Sequence, residues 1–408
     1  MPRKTRWAVA GTGSIAARTL PDLALTKNVE VIAVSSRTQE RADTFASEFG
    51  IPRAYGAYQA MLADPDVDVV YICTPHGAHF AMTAQAIQAG KHALCEKAFT
   101  VNAAQARRLA DLAREHNVFL MEAMWMKFNP TVQRLREIVG AGTIGAARHI
   151  TAAMGFPVPA ASSRFWSAEQ GGGALLDLGV YVITFAEMFL AEAGEVTVSS
   201  VLGRIREDGV DTRALVTLAA GEATAQLAIS IDHTVIPAAS IAGTSGFILV
   251  DMPFWVPKGF DVYPRGLGPG APPPTRVETD PEGTGYVPMF RAVGDAVQSG
   301  WTEHPAHPLS ATIGTLELVD EVRRQLLDTH YPARGALEPW DFIPELPSTL
   351  GTGRARIQHY PDARVHQRRR GRPGNRIPAA GADAQLPGRL GEPHRRRGRD
   401  RRRPGVLA

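Results

Sequence analysis

The sequence predicts an α/β protein: a doubly wound parallel sheet over residues 1–125, then a second α/β domain with a mostly antiparallel sheet over 126–330. Three observations carry this. Short, unbroken apolar runs alternate with helical segments before residue 125, the pattern of strands buried on both faces. After it, longer runs with period-two character take over, divided by glycine turns. A glycine-rich turn follows the first apolar run and opens a helix, as the start of a βαβ unit requires.

The first run spans 7–11 and ends in glycine. A helix follows over 14–20, and Pro21 is expected to end or kink it, because proline lacks the N–H of the helical ladder. The β-branched stretch 29–34 is a buried strand; 38–49 is a helix capped by Thr38 and stopped at Gly50. The turn Asp64-Pro65-Asp66 leads into a strand over 67–73. A helix over 79–89, closed by Gly90, precedes a strand over 92–95. A helix over 102–116 then precedes a fifth strand over 118–121. Beyond 125, helices are expected over 131–139 and 174–189. Strand-like runs fall at 148–153, 196–202, 213–218, 224–231, 238–242 and 246–251, with breaks at Gly209 and Ala220-Gly221. The Pro/Gly-rich stretch 263–274 reads as a long loop. Helices over 287–299 and 310–326 close the body, and no internal repeat is visible.

The net charge of +3 averages two unlike parts. Residues 351–408 hold 16 arginines, no lysine and 4 acids, whereas the first 350 carry 28 bases against 37 acids. Only 7 of those last 58 residues are Leu, Ile, Val, Met or Phe, too little apolar surface to order a chain. Residues 331–408 are therefore an extension whose arginine-rich part, from about 351, is a disordered arm or an out-of-frame stretch of a GC-rich gene. Its single aromatic residue, Tyr360, leaves no stacking platform, so specific nucleic-acid binding is not expected.

Two cysteines, Cys73 and Cys95, rule out a disulfide framework and suit a reducing, cytoplasmic setting. The apolar run after the basic start is too short for a secretory segment. The longest apolar stretch, 174–191, contains Asp177 and Glu187, so a buried helix is expected there and no membrane span.

Gly11-Thr12-Gly13-Ser14-Ile15-Ala16 fits G-x-G-x-x-G/A directly after a strand. The first glycine makes the tight turn, the second lets amides approach a pyrophosphate, and the small third residue packs helix on strand. The helix start adds a favourable partial charge for phosphates. This is a Rossmann-type nucleotide loop. After the second strand come Ser35, Ser36 and Arg37, with no carboxylate before Glu40. A hydroxyl and a guanidinium bind a 2′-phosphate that an acid would repel, so NADP is favoured over NAD. The competing reading makes Arg37 a solvated residue before a helix.

Cys95-Glu96-Lys97 follows the fourth strand, at the carboxyl edge where open α/β sheets take ligands. With 6 lysines against 38 arginines in the chain, a lysine here is not background. Gly171-Gly172-Gly173 precedes Asp177 and Tyr181, which lie four apart and share a face if the segment is helical, a plausible acid/base pair. The bland alternatives are a surface lysine, a dipole-matched aspartate and a core tyrosine. His76 and His79 have metal-pair spacing but lack a third ligand, so a loop or packing role is favoured and no metal is expected.

These motifs together, with TPHGAH at 74–79 and GGGALLDLGVY at 171–181, resemble the Gfo/Idh/MocA oxidoreductases, from about Trp7 to about Leu326. The resemblance implies an N-terminal Rossmann domain and a C-terminal α/β domain on a large open sheet. Thr74, Pro75, His79, Glu96 and Lys97 would join Gly11, Thr12, Gly13, Ser14, Ile15, Ser36 and Arg37 around the cofactor. The family usually has EKP; Ala98 replaces the proline, which leaves the isomer of that peptide bond open. Tyr181 stands where many members have histidine. That trait, Met124-Trp125 and Arg164-Phe165-Trp166 resemble the subgroup of dimeric dihydrodiol dehydrogenases and NADP-dependent D-xylose dehydrogenases, although the subgroup's usual acid near Met289 is missing.

The implied activity moves a hydride between a nicotinamide and the CH–OH carbon of a sugar or cyclic vicinal diol. Other chemistry of the family, or a non-catalytic NADP sensor, are the alternatives. Tyr181 would exchange the hydroxyl proton, Lys97 would ease the ionisation of a phenol whose free pKa is about 10, and Asp177 would orient substrate or Lys97. Trp125, Phe156 and Trp255, with Asp177 and Tyr181, are candidate substrate contacts. An open sheet face in the second domain makes a homodimer or homotetramer the expected assembly.

Overall fold

In the computed structural model, which describes residues 3–268, 270–332 and 344, the first apolar run is strand β1 (Thr5–Ala10), inside a six-stranded sheet. There follow α1 (Ser14–Leu25), β2 (Val29–Ser35), α2 (Gln39–Phe49), β3 (Arg53–Tyr55), α3 (Tyr58–Leu62) and β4 (Val69–Ile72). Then come α4 (His76–Gln88), β5 (His92–Cys95), α5 (Ala103–His116) and β6 (Leu120–Glu122). The strands lie in the order β3-β2-β1-β4-β5-β6, all parallel. Strand order reverses direction between β1 and β4, and the crevice at their carboxyl ends is where such a sheet receives a ligand. Val69 to Ile72 are all fully buried, which is why that run shows no polar alternation.

Three local expectations need correcting. Pro21 does not end its helix: α1 runs on to Leu25, which puts Leu20 and Leu23 in the core together. The missing amide costs one ladder bond, and burying two leucines, at about 2 kcal/mol each, outweighs it. The helix expected from 79 begins one turn earlier, at His76 behind Pro75, so both histidines lie in its first turn. Strand β3 and helix α3 were not expected; at three and five residues they are too short to show a period.

The second part begins with a 3₁₀ turn at Trp125–Phe128, α6 (Pro130–Gly140) and β7 (Ala147–Gly155). The helix expected over 174–189 opens as a π-helical turn, Leu175–Gly179, and becomes α-helical only in α7 (Val180–Leu190). Strands β8 (Thr197–Ile205), β9 (Asp211–Ala220), β10 (Ala223–Ser230), β11 (Ala239–Gly243), β12 (Phe247–Val250), β13 (Gly259–Tyr263) and β14 (Thr275–Glu278) complete an eight-stranded sheet. Its order is β14-β13-β12-β11-β7-β10-β9-β8, antiparallel except where β10 meets β7. The loop expected at 263–274 joins β13 to β14, two strands not expected from the sequence; β13 is five residues long and mostly buried, β14 four residues long and mostly exposed.

Helices α8 (Val287–Gln298) and α9 (Leu309–His330) finish the described chain. Helix α8 returns to the first sheet, where Phe290 meets Trp7 and Tyr71 edge-on at 5.8 and 5.4 Å. Its entry is fixed by Asp22 of α1, whose carboxylate accepts the N–H groups of Thr284 and Tyr286 at 2.9 and 2.8 Å. Among the described residues no helix is long and apolar enough to cross a membrane. The arginine-rich stretch from 351, read above as a disordered arm or an out-of-frame extension, lies outside the described residues.

Candidate active site

The phosphate loop leaves β1 at Gly11, whose φ of +113° is strained for any other residue; a Cβ there would also lie 2.7 Å from the carbonyl oxygen of Cys73. Gly13 caps α1 without a side-chain acceptor, and a Cβ on it would meet nothing within 4 Å. The first amides of α1, from Ser14 and Ile15, therefore face open space at the positive end of a helix. Ala16, the small third residue, is fully buried. Thr12 Oγ1 bonds Ser36 Oγ at 3.0 Å, which ties the loop to the end of β2. Arg37 is exposed and pairs with none of the described residues. Thr74 Oγ1, across from Gly11, is buried without a hydrogen-bond partner among the described residues. An open glycine cradle, an orphaned buried hydroxyl and an unpaired guanidinium on one crevice fit a phosphorylated dinucleotide.

Pro75 precedes α4, and the two histidines behind it bond the backbone. His76 Nδ1 lies 2.8 Å from Gly171 O; His79 lies 2.8 Å from Ala98 O through Nδ1 and 2.7 Å from Thr74 O through Nε2. They brace the loops around the crevice, and among the described residues no group of three or more His, Cys, Asp or Glu could hold a metal ion. Glu96 is buried and accepts the hydroxyl of Tyr71 and, at 3.3 Å, the N–H of Lys97. Burial pushes its carboxyl up to about 7, against the pull of Tyr71 and Lys97. The peptide bond between Lys97 and Ala98 is cis.

The structure brings Lys97, Asp177 and Tyr181 together, in an arrangement the sequence does not announce. Lys97 Nζ donates to the backbone carbonyl of Asp177 at 2.8 Å and lies 3.9 Å from its carboxylate. It also sits 4.9 Å above the centre of the Tyr181 ring, a cation–π contact. Burial lowers the pKa of Lys97 from the ordinary lysine value, while Asp177 and Glu96 oppose that shift. The Asp177 carboxylate is held by Arg164 through two bonds of 3.0 and 3.1 Å. Burial opposes its ionisation, but His76, Lys97 and Arg164 together keep it below the usual carboxylate range. Asp177 is thus a committed ion-pair partner, and Arg164, itself 4.0 Å from the Phe165 ring centre, is a site residue that only the Arg164-Phe165-Trp166 motif hinted at.

Tyr181 is buried, and its Oη accepts the indole N–H of Trp125 at 2.7 Å. Burial raises its pKa far above the ordinary phenol value, Glu96 adds to this, and the Trp125 bond works against it. The Lys97 ammonium lies over the ring face, and the group hydrogen-bonded to the oxygen is the indole. Trp125 stacks on Tyr286 at 4.1 Å and 10°, a partner with no sequence signal. Trp255 is tilted against Tyr181 at 6.2 Å. Phe156 is 41% exposed and meets Phe165 edge-on at 6.3 Å, so it borders the group through Arg164's neighbour. The last glycine of the run is explained by Asp211 of β9: its Oδ2 accepts the N–H of Leu175 at 2.6 Å, and a side chain on Gly173, at φ +117°, would strike that carboxylate.

The fold and its crevice define the class: an oxidoreductase built on a dinucleotide-binding sheet. Two family models match the chain, an oxidoreductase family with an NAD-binding Rossmann fold over residues 5–124 and the GFO/IDH/MocA C-terminal domain over 132–249. Trans-1,2-dihydrobenzene-1,2-diol dehydrogenase of Mus musculus is 34% identical over 330 residues, covering 79% of this chain and 96% of that protein. The Homo sapiens enzyme of the same name is 34% identical over 331 residues, with the same coverage of 79% and 96%. KijD10, a 3-ketoreductase from Actinomadura kijaniata solved with NADP and TDP-benzene, matches with a TM-score of 0.71 at 30% identity, over 79% of this chain and 98% of that one. That ketoreductase has also been solved with a lysine changed to alanine and with a tyrosine changed to phenylalanine; the two positions are as far apart in its sequence as Lys97 and Tyr181 are here. The chain belongs to the Gfo/Idh/MocA oxidoreductase family.

Proposed function

We propose that this protein is an NADP-dependent dehydrogenase acting on a CH–OH group of a sugar or cyclic vicinal diol, with Lys97 and Tyr181 as its acid/base machinery. The observation that carries the reading is the ammonium of Lys97, fixed on the Asp177 carbonyl and poised over the Tyr181 ring. The bound cofactor would supply or accept the hydride. Because Trp125 donates to Tyr181 Oη, the tyrosine's own O–H is free to point at a substrate oxygen. In reduction that proton goes to the nascent alkoxide; in oxidation Tyr181 takes the hydroxyl proton, and the Trp125 N–H together with Lys97 stabilises the phenolate. Asp177 holds Lys97 through its carbonyl and Arg164 through its carboxylate. Gly11, Thr12, Gly13, Ser14, Ile15 and Thr74 would cradle the pyrophosphate, and Ser36 with Arg37 the 2′-phosphate. Trp125, Trp255 and Phe156 would offer apolar faces to a ring.

A screen of pentoses, hexoses and cyclic diols, read by nicotinamide absorbance with NADP and with NAD, tests this. Turnover on at least one class with NADP preferred is expected; none on any class would overturn it. The likeness to a ketoreductase favours a second reading, reduction of a keto-sugar by the same residues, and the reverse assay with NADPH separates the two.

The reading extends to organisation. The first six strands form the cofactor domain and the eight-stranded sheet the substrate domain. The outward face of that sheet shows Leu202 and Leu215, paired across β8 and β9, and Leu249 on β12, at 72, 58 and 44% exposure. Such a patch suits a homodimer; a monomeric mass in solution would count against it. Cys73 and Cys95, buried and unpaired, suit the reducing cytoplasm.

A further inference from the structure

Behind the site lies a second buried polar cluster that the proposed chemistry leaves unused. Glu122 closes β6 and is buried. Its Oε1 accepts the N–H of Phe99 at 3.1 Å. Its Oε2 accepts the hydroxyl of Thr312 and faces Nε2 of His307, both at 3.0 Å. On the other side of the His307 ring, Lys127 Nζ stands 3.3 Å from Nδ1. An ammonium on one side and a carboxylate on the other settle the tautomer: Nδ1 accepts from Lys127, and Nε2–H donates to Glu122.

A buried carboxylate is costly, and an apolar side chain of similar volume would fill this space more cheaply. What an apolar residue lacks is an acceptor for Phe99. The β5–β6 ladder ends at Cys95 opposite Glu122, and the last amide the sheet holds is that of Glu96, on the Ile72 carbonyl at 3.0 Å, so Phe99 beyond Lys97 takes its acceptor from a side chain. Glu122 continues the ladder with its side chain, two residues beyond Lys97. Its other contacts reach the remaining site elements, since Lys127 shares the turn Trp125–Phe128 with the indole that bonds Tyr181.

We propose that Glu122 is a positioning residue for Lys97, holding the segment after it through Phe99 with His307 and Lys127 as its electrostatic support. This rests on the reading that Lys97 takes part in the reaction. Glu122→Gln preserves size but breaks the arrangement either way round. With the amide oxygen on Phe99, the amide nitrogen forces His307 to turn its Nδ1–H toward the Lys127 ammonium; with the amide reversed, two donors meet at Phe99.

The test is a double-mutant cycle with Lys97→Ala, with NADPH binding by fluorescence and melting temperature as checks on folding. E122Q is expected to lower kcat about tenfold or more in the parent, with KM and NADPH affinity within about threefold, and by less than about twofold in the K97A background. Labelling of Lys97 by an amine reagent, followed by peptide mass spectrometry, should also change in rate by about threefold. A loss of kcat that is equal in both backgrounds, or absent from both, overturns the proposal. If K97A alone keeps parental turnover, the role of Lys97 fails first and this inference falls with it. Should E122Q not fold, His307→Asn enters the same cycle, with an expected loss of about threefold that vanishes without Lys97.

Discussion

The two halves of the crevice are built on opposite plans. Around the phosphate loop, polar groups find no partner among the described residues: α1 starts without a side-chain cap beside the open space at Gly13, Thr74 Oγ1 is orphaned and Arg37 is unpaired. Around Tyr181, partners are already in place: Lys97 on the Asp177 carbonyl, Asp177 on Arg164, Tyr181 on Trp125. The first plan suits a ligand that brings its own charges. The second suits chemistry, where groups must stand in position before the barrier is met. Substitutions should therefore act on affinity in the first region and on turnover in the second.

The largest expected effect tests the second half. Lys97→Met keeps the length of the side chain and removes its charge, and should lower kcat by about 10²-fold or more with NADP affinity nearly unchanged. A comparable loss confined to cofactor affinity would move Lys97 into the first region. Arg37→Asp tests the first half: the NADP/NAD ratio of kcat/KM should fall by about 10²-fold, with kcat on NAD retained. An unchanged ratio removes Arg37 from 2′-phosphate recognition.

A smaller change sharpens the role of Tyr181. Burial holds its phenol above the ordinary value, and the Trp125 N–H is the group that works the other way. Oxidation uses the phenolate, so its rate should rise with pH; Trp125→Phe should move that rise to still higher pH and lower the neutral rate about tenfold. Reduction uses the phenol, which is the prevailing form at neutral pH, so it should suffer less. Equal losses in both directions would make Trp125 a pocket wall only.

Much of this contrast was legible in the sequence, and unevenly so. The phosphate loop could be read because its requirements are local: a turn, a close approach and a helix start occupy six consecutive residues, 11–16. The parallel sheet could be read because strands buried on both faces leave unbroken apolar runs. The second half depends on distant partners. Trp125 reaches Tyr181, Arg164 reaches Asp177, and Tyr286, placed by Asp22, supports Trp125 from far along the chain. The π-turn that presents Asp177 owes its start to Asp211 on another strand, a contact that helical spacing does not show. Composition identified Lys97 as unusual; only the fold shows that it lies over the Tyr181 ring.

The smallest effect is the cleanest discriminator between the plans. Gly13→Ala adds one methyl group at a position with φ of −90°, where an alanine is unstrained, and the new Cβ meets no protein atom within 4 Å. Fold stability should therefore stay within about 0.5 kcal/mol, or rise slightly from the loss of glycine's freedom in the unfolded chain. The methyl group does occupy the space where a pyrophosphate would approach the α1 amides, so NADPH affinity should fall about tenfold, with kcat at saturation unchanged. Calorimetry and fluorescence titration on one preparation separate the two quantities. Unchanged affinity would mean that the open space beside Gly13 is not the phosphate cradle, and the plan assigned to this half would fail even with Lys97 and Tyr181 in their assigned roles.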